Sequence, residues 1–320
     1  MYSPSGSGEV HVDQVLTQIS IGYKNEALVG DQLFKSVPVK KKSDKYYEFG
    51  REGWLPEDDR RAPGAAAREI VGAKVSTHTY YAEEHSLSIA VTDEERENVD
   101  SPLAPDRDAS ELVTDKVLLS RERTIQVLAT TAANYHADNT VTLTPATDTW
   151  DVYATSDPIG DLRTGKSTVH SKIFREPTLG LFPYQVMTKL EDHPDFLERI
   201  KYSERAIFSP DLLAAIIGLG KILVPGTGIN NAQLGLPDDI GYLWGVDVVL
   251  AYVPPRPGMK IPSYGYEFTQ GGQVVDRWRV NERKSDLVRV SRNYDIKMTA
   301  IDSSGDQLAG YLIKTAVDVS

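Results

Sequence analysis

The chain contains no cysteine, which removes disulfides, thiolate zinc sites, iron–sulfur clusters and cysteine nucleophiles together. Stability has to come from packing or from assembly. Histidine is scarce: the six present, at positions 11, 78, 85, 136, 170 and 193, never fall in an HxH, HxxH or HExxH spacing, so no strand or helical turn carries a metal pair. Long apolar runs are missing. Leu212 to Leu219 is the most apolar segment and is far too short to span a bilayer, while the start, MYSPSGSGEVHVDQ, lacks the basic-then-apolar order of an export signal. A soluble chain with no membrane partner is expected. No GxSxG elbow is present, and no segment recurs with a period of about 20 to 50 residues, which sets aside solenoids and propellers. Excess positive charge is absent as well: the formal net charge of −11 opposes electrostatically driven nucleic-acid binding by the chain as a whole.

What is present is an ordinary globular balance, 40% hydrophobic and 25% charged over 320 residues, enough for two domains at about 150 residues each. Apolar spacing predicts two short amphipathic helices, Val12 to Ile21 and Asn25 to Phe34, forming an N-terminal arm. Strand patterning follows from Val37 to Phe49 and from Val75 to Val91, as in a long hairpin. Thr92 and Glu95 have capping-box spacing for a short acidic helix, closed by Ser101-Pro102 and Ala104-Pro105. From Asp108 to about Ala137, Ala109, Leu112, Val113, Val117, Ile125, Leu128, Ala129, Ala132 and Tyr135 keep helical spacing without Gly or Pro. This predicts a spine helix roughly 45 Å long. A short strand is expected within Val141 to Trp150, and a helix opening at Ser156-Asp157-Pro158. Further along, Leu179 to Met187 reads as a buried strand, Ser209-Pro210 caps a helix over Asp211 to Leu219, and Pro254-Pro255 stops a strand over Val246 to Val253. The remaining strands are Tyr264 to Phe268, Val274 to Val280, Leu287 to Ala300 and Leu308 to Val317, with Gly271-Gly272 as a tight turn.

The loudest chemical motif is Gly160 to Ser167, a full match to the phosphate-binding GxxxxGK[ST] loop, with Lys166 as its lysine. That loop needs a hydrophobic strand before its first glycine, whereas Thr155-Ser-Asp-Pro-Ile is a helix start. Ile159, Leu162, Val169 and Ile173 also place one helical face straight through the match, and a chain of this size contains such a match by accident about one time in a hundred. A helix is expected there, binding no nucleotide. The acidic run Asp93 to Glu97 reads as a solvated first helical turn, and Lys40-Lys41-Lys42, diluted by Asp44 and Glu48, as a solvated strand face. No catalytic, cofactor-binding or metal-binding residue is assigned.

Between the two arms of the hairpin lies a flap, Arg51 to Ile70, rich in Pro, Gly, Arg and acids, with Trp54 and Leu55 as its large apolar residues. Such a segment costs conformational entropy without burying a core of its own, so it makes physical sense where neighbouring subunits receive it. Arg51, Trp54, Leu55, Arg60 and Arg61 are therefore the candidate inter-subunit contacts. An enzyme with a mobile lid is the competing reading, for which the Gly160 to Ser167 match is the positive evidence.

The order of these elements resembles the major capsid proteins of tailed double-stranded DNA bacteriophages. The signposts are Tyr23 and Glu26 to Phe34, Val37-Pro38-Val39, Lys45-Tyr46-Tyr47, Arg51-Glu52, Thr92 to Asn98 and Arg121-Glu122-Arg123. Further ones are Trp150-Asp151, Ser156 to Asp161, Gln185-Val186-Met187, His193-Pro194, Trp244-Gly245 and Tyr252-Val253-Pro254. The resemblance implies an α+β chain with the Hong Kong 97 phage fold: an N-terminal arm (1–36), an extended β-hairpin loop (37–91), a peripheral domain with the spine helix (92–149 and 266–299), and an axial domain (150–265 and 300–320). It implies a self-assembling icosahedral shell of pentamers and hexamers in the virion, built in the host cytoplasm around double-stranded DNA that it touches weakly and non-specifically. Its expected partners are copies of itself, a separate scaffolding protein, a portal and decoration proteins. An encapsulin-type bacterial compartment shell shares the fold and stands as the alternative. Shell size, host, maturation and covalent crosslinking stay open.

Overall fold

A computed structural model describes residues 11–12, 16–17, 28–47, 59–61, 63–64, 66–67, 75–99, 104–200, 208–232, 235–302 and 304–318. From the N-terminus, β1 (His11–Val12), α1 (Gly30–Leu33), β2 (Lys35–Val39), β3 (Ser43–Tyr47), β4 (Val75–Tyr81) and β5 (Glu83–Thr92) precede two helices, α2 (Asp93–Glu97) and α3 (Pro105–Thr130). Next come β6 (Thr140–Thr142), α4 (Pro158–Ile173), β7 (Leu179–Leu181), α5 (Tyr184–Glu191), α6 (Pro194–Ile200) and α7 (Pro210–Ile217). The chain then forms β8 (Lys221–Leu223), β9 (Gly228–Asn230), β10 (Ile240–Tyr242), β11 (Val248–Ala251), β12 (Gly265–Val280), β13 (Ser285–Met298) and β14 (Gly310–Lys314). Helix and strand are mixed along the chain, as an α+β fold requires.

Two five-stranded sheets organise these elements. In the long sheet β13 lies between β12 and β5, and the outer edge of β12 is taken by β2 and then by β1. The 16 residues of β12 make it about 54 Å long at 3.4 Å per residue. The spine helix α3 packs on β5 and β13, burying Ala109, Val113 and Val117 against Val91, Val275, Val288 and Val290. The second sheet runs β6-β14-β11-β7-β8. Its strands β7 and β11 are buried along their whole length, because α4, α5 and α7 cover one face and the C-terminal half of α3, with Trp244 and Phe34, covers the other. That double cover explains the unbroken apolar reading of Val248–Ala251.

The spine helix is shifted from its expected span and spans about 39 Å over its 26 residues. Pro105, expected to close the acidic helix, instead sits at the first turn of α3, where its missing N–H costs nothing. The helix stops at Thr130 without Gly or Pro because side chains take its terminal carbonyls. Thr131 Oγ1 donates to Val127 O at 2.6 Å, Asn134 Nδ2 to Leu128 O at 2.8 Å and Tyr135 OH to Ala129 O at 2.6 Å. The caps at Thr92, Asp157 and Ser209 form as their spacing predicts: Thr92 and Glu95 make a reciprocal box, Asp157 accepts from Gly160 N, and Ser209 accepts from Leu212 N.

Other expectations are corrected. Residues 37–49 do not form one strand: Lys40-Lys41-Lys42 is an exposed turn between β2 and β3, so it is no strand face. The hairpin is β3 paired with β4 alone, while β2 and β5 belong to the long sheet, separated from it at the Lys40–Lys42 turn and at Ala82. Gly271-Gly272 is no turn either. The register shift between Gln270 and Val274 makes it a bulge inside β12, with Gly271 at φ 74°. The turn between β12 and β13 is Asn281–Arg283 followed by Lys284 in the left-handed region. Within Leu179 to Met187 the strand ends at Leu181, since Pro183 opens α5 and puts Val186 and Met187 on a helix. Within Val141 to Trp150 the strand covers only Thr140–Thr142 and turns follow. Most of the expected helix Val12 to Ile21 lies outside the described residues; His11–Val12 is a strand and Leu16-Thr17 is helical. Of Asn25 to Phe34, the described helix is Gly30–Leu33.

Candidate functional site

The hairpin is anchored at its base by aromatic packing. Tyr80 stacks on Phe268 at 4.7 Å and Tyr46 tilts against the same ring at 5.6 Å, closing a small core with Val37 and Tyr266. Such aromatic pairs contribute about 0.5–1.5 kcal/mol each beyond area burial. Both β2 and β5 meet the hairpin at one level of the long sheet, where Val39 pairs with Gln270, Gln270 with Asn293 and Asn293 with Glu84. The hairpin departs from there. Of the candidate contacts, Arg60 and Arg61 are exposed; Arg51, Trp54 and Leu55 lie outside the described residues. The turn lysines are solvent-facing, with Lys41 2.8 Å from Asp44 and Lys42 5.6 Å from the Tyr81 ring centre.

Behind the hairpin, the face of α3 that ought to be apolar carries two buried charges, Arg121 and Glu122. Arg121 grips Glu267 of β12 with two bonds, Nε to Oε1 at 3.1 Å and Nη2 to Oε2 at 2.6 Å, and reaches Asp31 of α1 at 2.7 Å. Arg292 of β13 neutralises Glu267 from the other side at 2.9 Å. Burial is the largest influence on Arg121 and pulls its pKa down, but Glu267 and Asp31 outweigh it and the net shift is upward. Glu122 works on the arm. Its carboxylate accepts Val29 N at 3.0 Å, Gly30 N at 2.9 Å and Trp244 Nε1 at 3.0 Å, so it satisfies the orphan N–H groups that open α1. Burial raises the Glu122 pKa, and those donors pull against it. A Cβ on Gly30 would lie 2.5 Å from both Glu122 Oε2 and Ile125 Cδ1, which is why the arm carries glycine at this point. The network ties arm, spine helix, long sheet and the Trp244 loop together. Helical periodicity could not have found it, because periodicity scores apolar residues. The one visible signal is a charged triplet, Arg121-Glu122-Arg123, on the stripe marked by Val117 and Ile125.

The acidic run at α2 is solvent-facing as expected, with Glu94, Glu95 and Glu97 exposed and no residue buried, and Asp93 and Arg96 are paired at the surface. Arg279 binds Asp93 through both carboxylate oxygens at 2.5 Å, and Arg96 bridges Asp106 at 2.6 Å and Asp286 at 2.8 Å. The hydrogen bond from Arg279 holds the Asp93 carboxyl below its ordinary range.

Two constellations look catalytic and are structural. Gly160 to Ser167 lies wholly inside α4. Lys166 Nζ contacts Glu176 at 3.0 Å and donates to Gly218 O at 3.1 Å and Ile217 O at 3.4 Å, so it caps the end of α7 in place of a phosphate. Ser156, His193 and Asp195 have the composition of a hydrolase triad, with Ser156 Oγ 3.0 Å from His193 Nε2. The bonding runs the wrong way for nucleophile activation. Asp195 N donates to His193 Nδ1 and Ser156 Oγ donates to Val152 O, so Nε2 carries the proton and gives it to the serine. The imidazole caps α6. Among the described residues no group of three or more His, Cys, Asp or Glu is placed to hold a metal ion, and no helix is long and apolar enough to cross a membrane.

No family model matches the chain. It is 31% identical over 307 residues to a major capsid protein of Burkholderia phage BcepMu, covering 94% of this chain and 95% of that one. Among solved structures it is similar to a phage-related protein from Bordetella bronchiseptica RB50, at TM-score 0.77 and 27% identity, over 96% of this chain and 98% of that one. It also superposes on the capsid structure of cyanophage P-SCSP1u at TM-score 0.57 and 9% identity, covering 98% and 93%, a likeness of fold alone. The fold is the Hong Kong 97 phage fold, with the spine helix, the long sheet and the hairpin in the expected order. With 31% identity extending over 94% of its length, the chain belongs to the major capsid protein family of bacteriophages and forms the shell of the virion.

Proposed function

We propose that the subunit assembles as pentamers and hexamers of an icosahedral head, with the arm (1–36) and, within the expected hairpin loop (37–91), the β3–β4 hairpin overlapping neighbouring copies. The peripheral domain comprises 92–149 and 266–299, and the axial domain 150–265 and 300–320. One observation carries this reading: β3–β4 forms a two-stranded sheet of its own, while its base is fastened by the Tyr46–Phe268–Tyr80 stack and, behind it, the Arg121–Glu267 clamp. An isolated two-stranded hairpin is marginal in water, so a two-stranded hairpin with a fastened base suits an element completed by another copy. Arg51, Trp54, Leu55, Arg60 and Arg61 are the side chains we assign to that contact. They would meet the neighbour's surface mainly through bidentate arginine bonds and one desolvated aromatic.

The subunit works without catalysis. Strength comes from modest contacts repeated in heterologous interfaces that close on rotation. A net charge of −11 keeps double-stranded DNA in weak, non-specific contact with the inner surface. A separate scaffolding protein directs assembly, and the portal and decoration proteins complete the particle. Electron microscopy of the purified chain, alone and with a candidate scaffold, tests the reading: closed shells, tubes or rings of five or six support it, and a homogeneous monomer in both preparations overturns it.

A further inference from the structure

The most exposed large apolar side chain described is Ile240, 76% accessible, on the two-stranded β9–β10 hairpin, with Leu236 at 62% nearby. Asn230 pins the described residues on both sides of this hairpin's tip. Asn230 Oδ1 accepts from Ala232 N and Asp239 N at 3.0 Å each, and its Nδ2 donates to Asp238 at 2.8 Å. The tip therefore presents two apolar side chains beside the carboxylates of Asp238 and Asp239, all exposed. The Asp239 carboxylate has no partner among the described residues.

A surface of complementary character lies at the other end of β8. There α4 and the end of α7 enclose an open cleft of about 430 Å³. Arg163, Lys166, Ser167 and His170 stand on one helical face at spacings of three and four residues, and Ala215 and Ile216 supply an apolar floor, accessible and half-buried respectively. Lys166 is already engaged by Glu176 and the α7 carbonyls. Arg163 is exposed and has no partner among the described residues, so the cleft keeps an unspent cation where the tip keeps an unspent carboxylate.

We infer that the Leu236–Ile240 tip of one copy docks into the α4–α7 cleft of the next, Asp239 meeting Arg163 while Leu236 and Ile240 cover Ala215 and Ile216. In the chain, strand β8 (Lys221–Leu223) follows α7 and precedes the β9–β10 hairpin. Tip into cleft is a heterologous, head-to-tail contact, the type that generates rings when the rotation closes. The inference deepens the capsomer reading above and rests on it. It also gives the Gly160–Ser167 face a role that needs no nucleotide: its basic residues receive a carboxylate from protein.

The absence of cysteine from the chain makes a disulfide probe clean. The double variant Arg163→Cys/Asp239→Cys, assembled and mildly oxidised, is expected to give a reducible ladder of covalent oligomers ending at five or six, which neither single variant gives. Charge reversal provides an independent readout. Arg163→Glu and Asp239→Arg should each raise the concentration needed for assembly about tenfold, and combining them should restore it towards wild type. Both residues are exposed, so folding is unaffected. Closed particles of the double-cysteine variant that stay monomeric on a non-reducing gel would overturn the docking and leave the shell reading intact. A ladder from open rings or tubes that never close would support the docking and remove the closed shell.

Discussion

Replacing Arg121 with methionine removes the centre of the buried network while nearly conserving side-chain length. The guanidinium is 3% exposed and holds Glu267, itself at 0%, through bonds of 3.1 and 2.6 Å, with Asp31 at 2.7 Å. Taking one partner from a buried ion pair costs about 3–5 kcal/mol, because the other charge stays desolvated. Arg292 remains 2.9 Å from Glu267, which places the expected loss at the low end, about 3 kcal/mol. Asp31 adds little: its side chain is 73% exposed, and water replaces its partner. The double variant Arg121→Met/Glu267→Leu removes both desolvated charges, and Arg292, at 16% exposure, has a short route to solvent. Its stability is expected within about 1 kcal/mol of wild type, a coupling of about 2 kcal/mol or more. Urea unfolding of the subunit below its assembly concentration measures both, at a common dependence on denaturant. A single-variant loss under about 1 kcal/mol, or a double variant costing the sum of its singles, would refute the assignment of this cluster as the clamp.

Gly30→Ala should cost about 1–3 kcal/mol, because the new methyl lies 2.5 Å from Glu122 Oε2 and Ile125 Cδ1; limited proteolysis of the N-terminal arm should accelerate, and an unchanged digestion rate would count against the docking. Tyr135→Phe strands the Ala129 carbonyl and the Tyr264 hydroxyl, each now bonded at 2.6 Å. It should cost about 1–3 kcal/mol, with Tyr135→Phe/Tyr264→Phe costing less than the sum of its singles in thermal unfolding. Asp161 carries a carboxyl raised by burial and then by Asp157 and Asp148, while Trp150 Nε1 donates to it at 2.9 Å. A raised folded-state pKa means its stabilising contribution is complete below the unfolded value near about 3.9 and is lost as pH rises through the folded value. Asp161→Asn keeps an acceptor for Trp150, so its urea midpoint should fall less than that of wild type between about pH 4 and pH 7; parallel profiles would refute the cause given.

Much of the architecture was legible one residue at a time. Spacing located α2, α4 and α7 because their caps are local: Thr92 with Glu95, Asp157 with Gly160 N and Ser209 with Leu212 N each join residues three apart. The same local logic placed the Gly160–Ser167 match on a helix, since a helical apolar face and a phosphate loop cannot occupy one segment. Where local signals were ambiguous the expectations failed. Pro105 could close one helix or open the next, and Gly271-Gly272 could turn or bulge. Neighbours settled both: α3 lies on the long sheet, and β13 continues the pairing of β12 past the glycines.

The candidate surfaces divide in the same way. Arg60 and Arg61 were visible as polar insertions because composition alone marks a segment that cannot bury a core. The Arg121–Glu267–Arg292 cluster was not, since its partners are separated by up to 146 residues in the chain and each looks like an ordinary surface charge alone. By itself the sequence determined the periodic helices, their caps, the family resemblance and the absence of a metal pair on any one turn, all properties of residues near one another in the chain. Only the tertiary structure decided which charges are buried, where the spine helix ends and which apolar side chains remain uncovered. Desolvation and long-range pairing depend on distances that exist only once the chain has folded.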